Sequence, residues 1–316
     1  MRISSIDEQM TEHESASSNE SMLSGKVCVV TGGGNGLGRF AAEELAARDA
    51  AVVVNDLGTS VRGEGSDPAV AEDVAAAIRE DGGTAIAHHG DVSDSAVATE
   101  VIETAVEEYG HVDGVANFVG VLRDGWLQNL SDEDWDTVVE TNLTSNFVLL
   151  RAVVRHWRSL DEEELDSQRS FVGVSSRGAM GNPGQVNYSA TKAGVLGLVR
   201  AASSELHRQN VRVNSLIPSG YTRMTETVPE EHRPYTREEM PPERVAPMVS
   251  YLMSDDAEDV TGCTLYAGGD RIGLYSDPQL ERVGVNPGGW SAEEIAEEMD
   301  EAIADGFELT RTERFL

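Results

Sequence analysis

Residues 26–38 read KVCVVTGGGNGLG, a short apolar run that leads directly into a glycine-rich turn. The run has the length and the β-branched residues of a buried strand. The Ala-rich segment AAEELAARD at 41–49 is typical of a helix. The glycines therefore fall between a predicted strand and a predicted helix, and this order predicts a strand–turn–helix unit.

Strand and helix patterns alternate from this unit to about residue 270. Further strands are predicted at AVVVN (51–55), TAIAHH (84–89), VDGVANFVG (112–120), SFVGVSS (170–176), VRVNSLIP (211–218) and CTLYAGG (263–269), with helical segments between them. One of these segments, 131–157, opens with Ser131 and several acids and is predicted to be a single long helix. The apolar runs are continuous rather than alternating, which predicts strands that are covered on both faces. The pattern therefore predicts an α/β fold, a single doubly wound parallel sheet with helices on both faces.

The chain is divided into three parts by its composition. Residues 1–22 are polar, acidic and non-periodic, and we predict a disordered tail. Residues 23–275 hold the alternating elements, and 276–316 form an acidic C-terminal extension with a predicted helix at 291–306. The tail has neither the apolar region of a signal peptide nor an Arg-rich transit pattern, so we expect a cytoplasmic protein.

Charge excludes two classes of partner. The 56 acidic residues outnumber 24 Lys and Arg, which gives a net charge of −32, and only Lys26 and Lys192 are lysines. Nucleic acid and anionic membranes would be repelled. Such an acidic excess with so few lysines predicts adaptation to very high salt, where the Debye length is about 3 Å at 1 M. The two cysteines exclude a disulfide scaffold, and the histidines show no ligand spacing, so we predict no metal site.

The glycine turn is a candidate phosphate-binding site because backbone N–H groups at a helix N-terminus bind anions. Its T-G-x-x-x-G-x-G spacing points to Gly32, Asn35, Gly36, Leu37 and Gly38 as cofactor-binding residues. Asp56 ends the second predicted strand 24 residues after Gly32, close to the spacing of about 20 typical of an acid that binds ribose hydroxyls. A carboxylate there would repel a 2′-phosphate, so NAD is predicted over NADP. Asp91 and Val92 follow the third strand as candidate adenine contacts, with a helix cap as the alternative for Asp91.

Tyr188 and Lys192 are four residues apart in a predicted helix and therefore share one face. A neighbouring ammonium favours the phenolate, and we expect it to lower the pKa of the tyrosine. Such a pair can remove the proton of an alcohol while hydride leaves its carbon.

Over residues 23–270 these features resemble the short-chain dehydrogenase/reductase family, which has a Rossmann-like fold. TGGGNGLG (31–38) is similar to its cofactor turn and NFVG (117–120) to its N-N-A-G strand end, although Phe118 and Val119 depart from that pattern. The resemblance implies cofactor contacts at Asn117, Gly120, Pro218, Thr222, Tyr188 and Lys192, and makes Asn142 the anchor of a proton-relay water. The family's catalytic serine matches Ser175 by its usual spacing to the tyrosine and Ser176 by strand register.

The segments VVVNDLG (52–58), GVLRD (120–124), GNPGQVNYSATKAG (181–194) and RMTETV (223–228) resemble the (3R)-hydroxyacyl-CoA dehydrogenase part of peroxisomal multifunctional enzyme type 2. That resemblance implies oxidation of a 3-hydroxyacyl thioester with NAD by a homodimer or homotetramer. Three alternatives stay open: a 3-oxoacyl thioester reductase, a dehydrogenase of another secondary alcohol such as a sugar or steroid, and a non-catalytic NAD-binding protein.

Overall fold

A computed structural model of the chain describes residues 21–160, 167–299 and 303. The predicted tail lies outside the described residues apart from its last two. The strands are β1 Val27–Thr31, β2 Ala51–Asp56, β3 Thr84–His89, β4 Gly114–Asn117, β5 Arg169–Val174, β6 Val211–Ser219, β7 Thr264–Gly268 and β8 Arg271–Tyr275. The helices are α1 Gly36–Ala47, α2 Ala69–Glu80, α3 Ser95–Tyr109, α4 Asp132–Val139, α5 Ser145–Trp157, α6 Val186–Leu206, α7 Arg223–Glu226, α8 Ala246–Met253 and α9 Ala292–Glu298.

The strands form one sheet in the order β3-β2-β1-β4-β5-β6-β7-β8, parallel as far as β7. The chain moves outward from β1 to β3 and then returns to place β4 on the other side of β1. The connection after β1 therefore runs to one side of the sheet and the connection after β4 runs to the other. A crevice opens between them at the carboxyl end of β1.

Two apolar clusters cover the two faces of the sheet. Val30 of β1 packs with residues of α1, α2 and α8, whereas Val29 packs with residues of α3, α5 and α6. Because successive side chains of a strand point to opposite faces, both residues are buried. The continuous apolar runs thus arise from a sheet with helices on both sides, and the predicted doubly wound fold is confirmed.

Two elements differ from the sequence prediction. The segment 131–157 was expected to be one helix, but a π-helical turn at Glu140–Thr144 separates α4 from α5. The last strand, β8, was not predicted, and it pairs antiparallel with β7 through a turn at Gly269 and Asp270. The turn is possible because Gly269 has a positive φ of 56°.

In the C-terminal part, α9 begins at a capping box in which Ser291 and Glu294 each satisfy the backbone of the other. Most of the predicted helix beyond residue 299 lies outside the described residues. Within the described parts of the chain, none of the helices has both the length and the apolar character needed to cross a bilayer.

Candidate active site

A cleft with a volume of about 390 Å³ opens at the carboxyl ends of the parallel strands. Its wall includes most of the residues singled out from the sequence: Gly32, Asn35, Gly36, Leu37, Gly38, Asp56, Asp91, Val92, Gly120, Ser175, Ser176, Tyr188, Lys192, Pro218 and Thr222. Asn117 and Asn142 lie beneath this wall and are fully buried. One continuous cavity therefore joins the glycine turn to the tyrosine–lysine pair.

The glycine turn brings bare backbone to one end of the cleft. Gly32 has a φ of +67°, and a Cβ on it would lie 2.8 Å from the backbone of Phe118. A Cβ on Gly38 would overlap the Gly32 carbonyl oxygen. At the start of α1, Asn35 makes no side-chain capping bond and the first turn has no acid. The first N–H groups of α1 are thus available to a phosphate group, so the turn fits a dinucleotide.

Asp56 is fixed at the end of β2 by two backbone donors. Its Oδ2 accepts a hydrogen bond from Gly34 N at 2.9 Å, and its Oδ1 accepts one from Gly58 N at 2.7 Å. Each carboxylate oxygen has a further lone pair. The carboxylate is therefore oriented on the cleft wall and can accept hydrogen bonds from a ribose.

Asp91 also lies on the cleft wall, and it is not the cap of α3. Its Oδ1 accepts hydrogen bonds from Ser93 N at 2.9 Å and Ser93 Oγ at 2.7 Å. The N-cap of α3 is Asp94, which accepts from Ala96 N. The helix-cap alternative for Asp91 is thus wrong.

Asn117 holds the strands together below the cleft floor. Its Oδ1 accepts from Thr31 Oγ1 at 2.9 Å and from Val119 N at 3.0 Å, and its Nδ2 donates to Ser145 Oγ at 3.2 Å. These bonds tie the end of β4 to β1 and to α5. Asn117 therefore lies below the cleft floor and supports it, and its side chain is not among those on the cleft surface.

Tyr188 and Lys192 both point from α6 into the cleft. The Lys192 ammonium lies 5.6 Å from the centre of the Tyr188 ring, and its Nζ donates to the Val174 carbonyl at 2.9 Å. Both side chains are buried, at 9% and 4% exposure. The predicted juxtaposition on one helical face is present.

The two serines differ in their contacts. The Ser176 hydroxyl lies close enough to the Tyr188 phenol to lower its pKa, and its Oγ accepts a hydrogen bond from Gly178 N at 3.1 Å. The Ser175 hydroxyl donates to the backbone carbonyl of Lys192 at 2.7 Å. Only Ser176 therefore interacts with the phenol, as strand register favoured.

Burial controls the ionisation of both groups. It raises the pKa of Tyr188, an effect opposed by the Ser176 hydrogen bond and reinforced by the charge of Asp124 and by Tyr235. It lowers the pKa of Lys192 to about 8. The expected lowering of the tyrosine pKa is thus a wrong prediction for this structure, because desolvation of the phenolate outweighs the favourable interactions.

Asn142 lies in the π-helical turn and makes two bonds to a single residue. Its Oδ1 accepts from Val121 N at 2.8 Å, and its Nδ2 donates to Val121 O at 3.1 Å. A Cβ on Gly120 would lie 3.5 Å from both Asn142 Oδ1 and Lys192 Nζ. Gly120 therefore separates the asparagine from the lysine and leaves open space between them.

Two other parts of the cleft were missed from the sequence. The loop after β2 contributes residues 57, 59–61 and 63, and its Val61 carbonyl accepts a hydrogen bond from Leu122 N at 2.9 Å. The segment after β6 contributes Met224, Val228, Pro234 and Tyr235. Both follow strands at their ligand-binding ends, and that position was the signal that could have identified them.

The described part of the chain contains no group of side chains that could bind a metal ion. Across residues 21–160 and 167–299, no three His, Cys, Asp or Glu side chains are placed to hold an ion. The polar groups of the cleft instead serve the tyrosine, the lysine and the backbone around them.

Comparisons with known proteins give the family. Residues 26–233 match the sequence profile of the family described as short chain dehydrogenase. The hydroxyacyl-CoA dehydrogenase ChsB1 of Mycobacterium tuberculosis is 37% identical over 271 residues, which cover 84% of each protein. A crystal structure of a short chain dehydrogenase from Mycobacterium avium superposes with a TM-score of 0.78 at 31% identity and covers 90% of this chain and 96% of the other.

Peroxisomal multifunctional enzyme type 2 of Mus musculus is 38% identical over 239 residues, or 75% of this chain. The match covers 31% of that enzyme. The similarity is therefore to one part of a longer protein, and the resemblance noted from the sequence is confirmed. The chain belongs to the short-chain dehydrogenase/reductase family, whose members use nicotinamide cofactors, and is an oxidoreductase of CH–OH groups.

Proposed function

We propose that the protein is an NAD-dependent dehydrogenase of 3-hydroxyacyl thioesters, with Tyr188 as its general base. The single observation that carries the proposal is the meeting of Ser176, Tyr188 and Lys192 in the cleft that also holds Asp56. A protein that only bound the dinucleotide would have no need of a buried phenol and ammonium at the substrate end.

Preference for NAD over NADP is argued from Asp56. The carboxylate is fixed by Gly34 and Gly58 in the cleft wall. It can accept hydrogen bonds from ribose hydroxyls, whereas a 2′-phosphate would bring like charge against it. In the glycine turn, the residue before α1 is the neutral Asn35, which offers no compensating positive charge.

In the proposed mechanism, Ser176 and Tyr188 hold the hydroxyl of the substrate. Tyr188 takes the proton from that hydroxyl, and the adjacent Lys192 ammonium stabilises the phenolate that acts as base. The glycine turn and Asp56 would hold the dinucleotide, which would supply the acceptor for the hydride of the carbinol carbon. The proton would then leave through the ribose, Lys192 and a water held at Asn142, which flanks the space at Gly120 together with Lys192.

The thioester is proposed from two relatives. ChsB1 is named a hydroxyacyl-CoA dehydrogenase, and several segments of the chain resemble the (3R)-hydroxyacyl-CoA dehydrogenase part of peroxisomal multifunctional enzyme type 2. The cleft suits such a substrate, because its outer wall combines apolar residues such as Val61, Leu122 and Val228 with the polar reaction centre. An extended acyl chain requires this combination.

We also propose a cytoplasmic homodimer or homotetramer that is adapted to high salt. The segment 131–157, which holds α4 and α5, resembles a helix that pairs subunits in this family, and its exposed apolar residues support the proposal: Trp135 on α4 is 39% exposed and Phe147 on α5 is 49% exposed. Multi-angle light scattering in 2 M KCl measures the oligomeric state directly, and a monomeric mass would contradict this part of the proposal.

The test is a steady-state assay in molar KCl with NAD or NADP and with 3-hydroxyacyl-CoA, sugar and steroid alcohols. We expect turnover of the thioesters with NAD, and loss of nearly all of it in Tyr188→Phe while NAD binding persists. Tyr221→Phe is the matched control, because it removes a phenol from the segment after β6 without touching α6. Better turnover with NADP, or a Tyr188→Phe variant with more than about a tenth of the activity, would contradict the proposal.

A further inference from the structure

We propose that a second cavity beside the active-site cleft binds the phosphate groups of the substrate's thioester carrier. The inference rests on the proposed function, because it presumes a thioester substrate. The cavity has a volume of about 420 Å³ and lies at the carboxyl ends of β6 and β7. It is lined by the β7–β8 turn, the end of β6 and part of the segment after it.

The cavity continues from the reaction centre. Pro234 and Tyr235 line both the cleft and the second cavity. Arg177, which lines the second cavity, directly follows Ser176 in the chain. A substrate whose hydroxyl lies against Ser176 and Tyr188 can therefore extend past Tyr235 into this space.

Two arginines give the cavity its chemistry. Arg177 and Arg271 both line it, and neither forms an ion pair with any residue that the structure describes. Arg177 also acts electrostatically on Tyr275, which lies on the same strand as Arg271. Arg177 thus lies in the turn after β5, and Arg271 lies on β8.

The acids of the cavity have other partners. Asp270 is paired with Arg244. The Glu239 carboxylate accepts a hydrogen bond from Thr236 N at 2.8 Å. Neither acid is paired with Arg177 or Arg271, so an anion in the cavity would meet two guanidinium groups without ion-pair partners beside one carboxylate, that of Glu239. Planar guanidinium groups bind phosphate through paired hydrogen bonds.

The ligand class follows from these features. Coenzyme A and the prosthetic group of acyl carrier proteins share a pantetheine arm that ends in a phosphate. Either carrier would present its acyl group in the cleft and its phosphate outside the reaction centre. The shared chemistry that the cavity recognises is thus a phosphate on a pantetheine arm.

The kinetic test compares two thioesters of the same acid. 3-Hydroxybutyryl-CoA carries phosphate groups, and 3-hydroxybutyryl-N-acetylcysteamine carries none. We expect the double variant Arg177→Gln/Arg271→Gln to raise the KM for the CoA ester about tenfold, the effect of losing charge-assisted hydrogen bonds. The KM for the short thioester and both kcat values should change by less than about twofold.

Arg208→Gln is the matched control. It removes one exposed arginine from the turn before β6, at the amino end of that strand and away from the cavity at the carboxyl end, where it likewise has no ion-pair partner among the described residues. An equal rise in KM for both thioesters would overturn the proposal, as would a double variant no different from Arg208→Gln. Turnover of neither thioester by the unaltered protein would instead overturn the proposed function.

A binding measurement keeps the two proposals separable. Calorimetric titration with CoA, 4′-phosphopantetheine and pantetheine, in the presence of NAD, requires no turnover. The salt should be the lowest that preserves the circular dichroism spectrum, because salt screens arginine–phosphate attraction. We expect CoA and 4′-phosphopantetheine to bind more tightly than pantetheine, and to lose that advantage in the double variant. Equal affinity for phosphorylated and unphosphorylated arms would contradict the site.

If 4′-phosphopantetheine behaves like pantetheine while CoA retains the arginine-dependent advantage, the cavity recognises the nucleotide phosphates of CoA. If both phosphorylated probes share the advantage, the site accepts the arm of either carrier. Both results support phosphate recognition and distinguish its source.

Discussion

The adjacent hydroxyls of Ser175 and Ser176 have different partners. Ser176 interacts with the Tyr188 phenol, and Ser175 donates to the Lys192 carbonyl within α6. Ser176→Ala should therefore reduce kcat/KM about 10²- to 10³-fold, the cost of removing a donor from a reacting oxygen. Ser175→Ala should leave most of the activity and lower the free energy of unfolding by about 1 kcal/mol. Paired kinetics and urea denaturation in molar KCl measure both, and a larger kinetic loss at Ser175 would reverse the assignment.

The same hydrogen bond predicts a pH effect. Burial raises the pKa of Tyr188 and Ser176 opposes that rise. Because the base must be deprotonated, kcat/KM should increase with pH through the neutral and mildly alkaline range. Loss of the Ser176 hydroxyl should move that increase to higher pH. With both profiles carried above the ordinary tyrosine pKa of 10.0, an inflection at the same pH in Ser176→Ala and in the unaltered protein would show that the bond does not act on the phenol.

Lys192 predicts a pH dependence of stability, because burial shifts its pKa in the direction opposite to that of Tyr188. Burial lowers its pKa from 10.5 to about 8. Between these values the unfolded chain binds more protons than the folded one, so the free energy of unfolding rises with pH. From pH 8 to 9.5 the rise should exceed that of Lys192→Met by about 1–2 kcal/mol. This range stays below the ordinary tyrosine pKa, where ionisation of Tyr188 would begin to oppose the trend. Urea denaturation at the two pH values measures the difference, and parallel curves would contradict a desolvated ammonium.

At the scale of elements, the π-helical turn is the feature that sequence reasoning could least provide. Ser131 and the following acids identified the start of α4 correctly, because capping is local. The break at Glu140–Thr144 depends on distant partners, since Asn142 bonds to the backbone of Val121 after β4. Similarly, β1 and its glycine turn were predictable from a local pattern, whereas β8 exists only because β7 is there to pair with it.

The candidate site likewise combines residues that a local sequence pattern predicts with contacts that only the packed structure creates. Tyr188 and Lys192 share a helical face through their spacing alone, and Asp56 ends a strand that its own residues define. The loop after β2 joins the cleft through a bond from Leu122 to Val61, which no periodicity in either segment indicates. The tyrosine pKa was predicted in the wrong direction because burial, unlike spacing, is a property of the packed molecule.

Two glycines of α6 test how this helix supports the π-helical turn. A Cβ on Gly194 would lie 3.0 Å from the Leu143 side chain, next to Asn142, whereas one on Gly197 would meet nothing within 4 Å. Gly197→Ala should raise the free energy of unfolding by about 0.5–1 kcal/mol, as expected for glycine in a helix interior. Gly194→Ala gains the same helical preference but must displace Leu143, so it should be less stable than Gly197→Ala and less active. Equal stability and activity in the two variants would mean that the turn tolerates the displacement.

At the scale of the whole molecule, the charge of −32 should make stability depend on salt. Glu103, Glu107 and Glu108 are exposed on α3 without ion-pair partners among the described residues, and Glu103 and Glu107 are one turn apart. Like charges at this spacing destabilise a helix by about 0.2–0.5 kcal/mol per pair. At molar salt, screening removes most of such repulsion.

We therefore expect the free energy of unfolding to rise steeply with KCl up to about 1 M, where the Debye length falls to about 3 Å, and more slowly beyond. The variant Glu103→Gln/Glu107→Gln/Glu108→Gln should be about 0.2–0.5 kcal/mol more stable than the unaltered protein at 0.1 M KCl and nearly equal to it at 2 M. Urea denaturation across the salt series measures both curves. A rise that stays linear and identical in the two proteins would indicate exclusion of salt from the protein surface rather than relief of repulsion among its carboxylates.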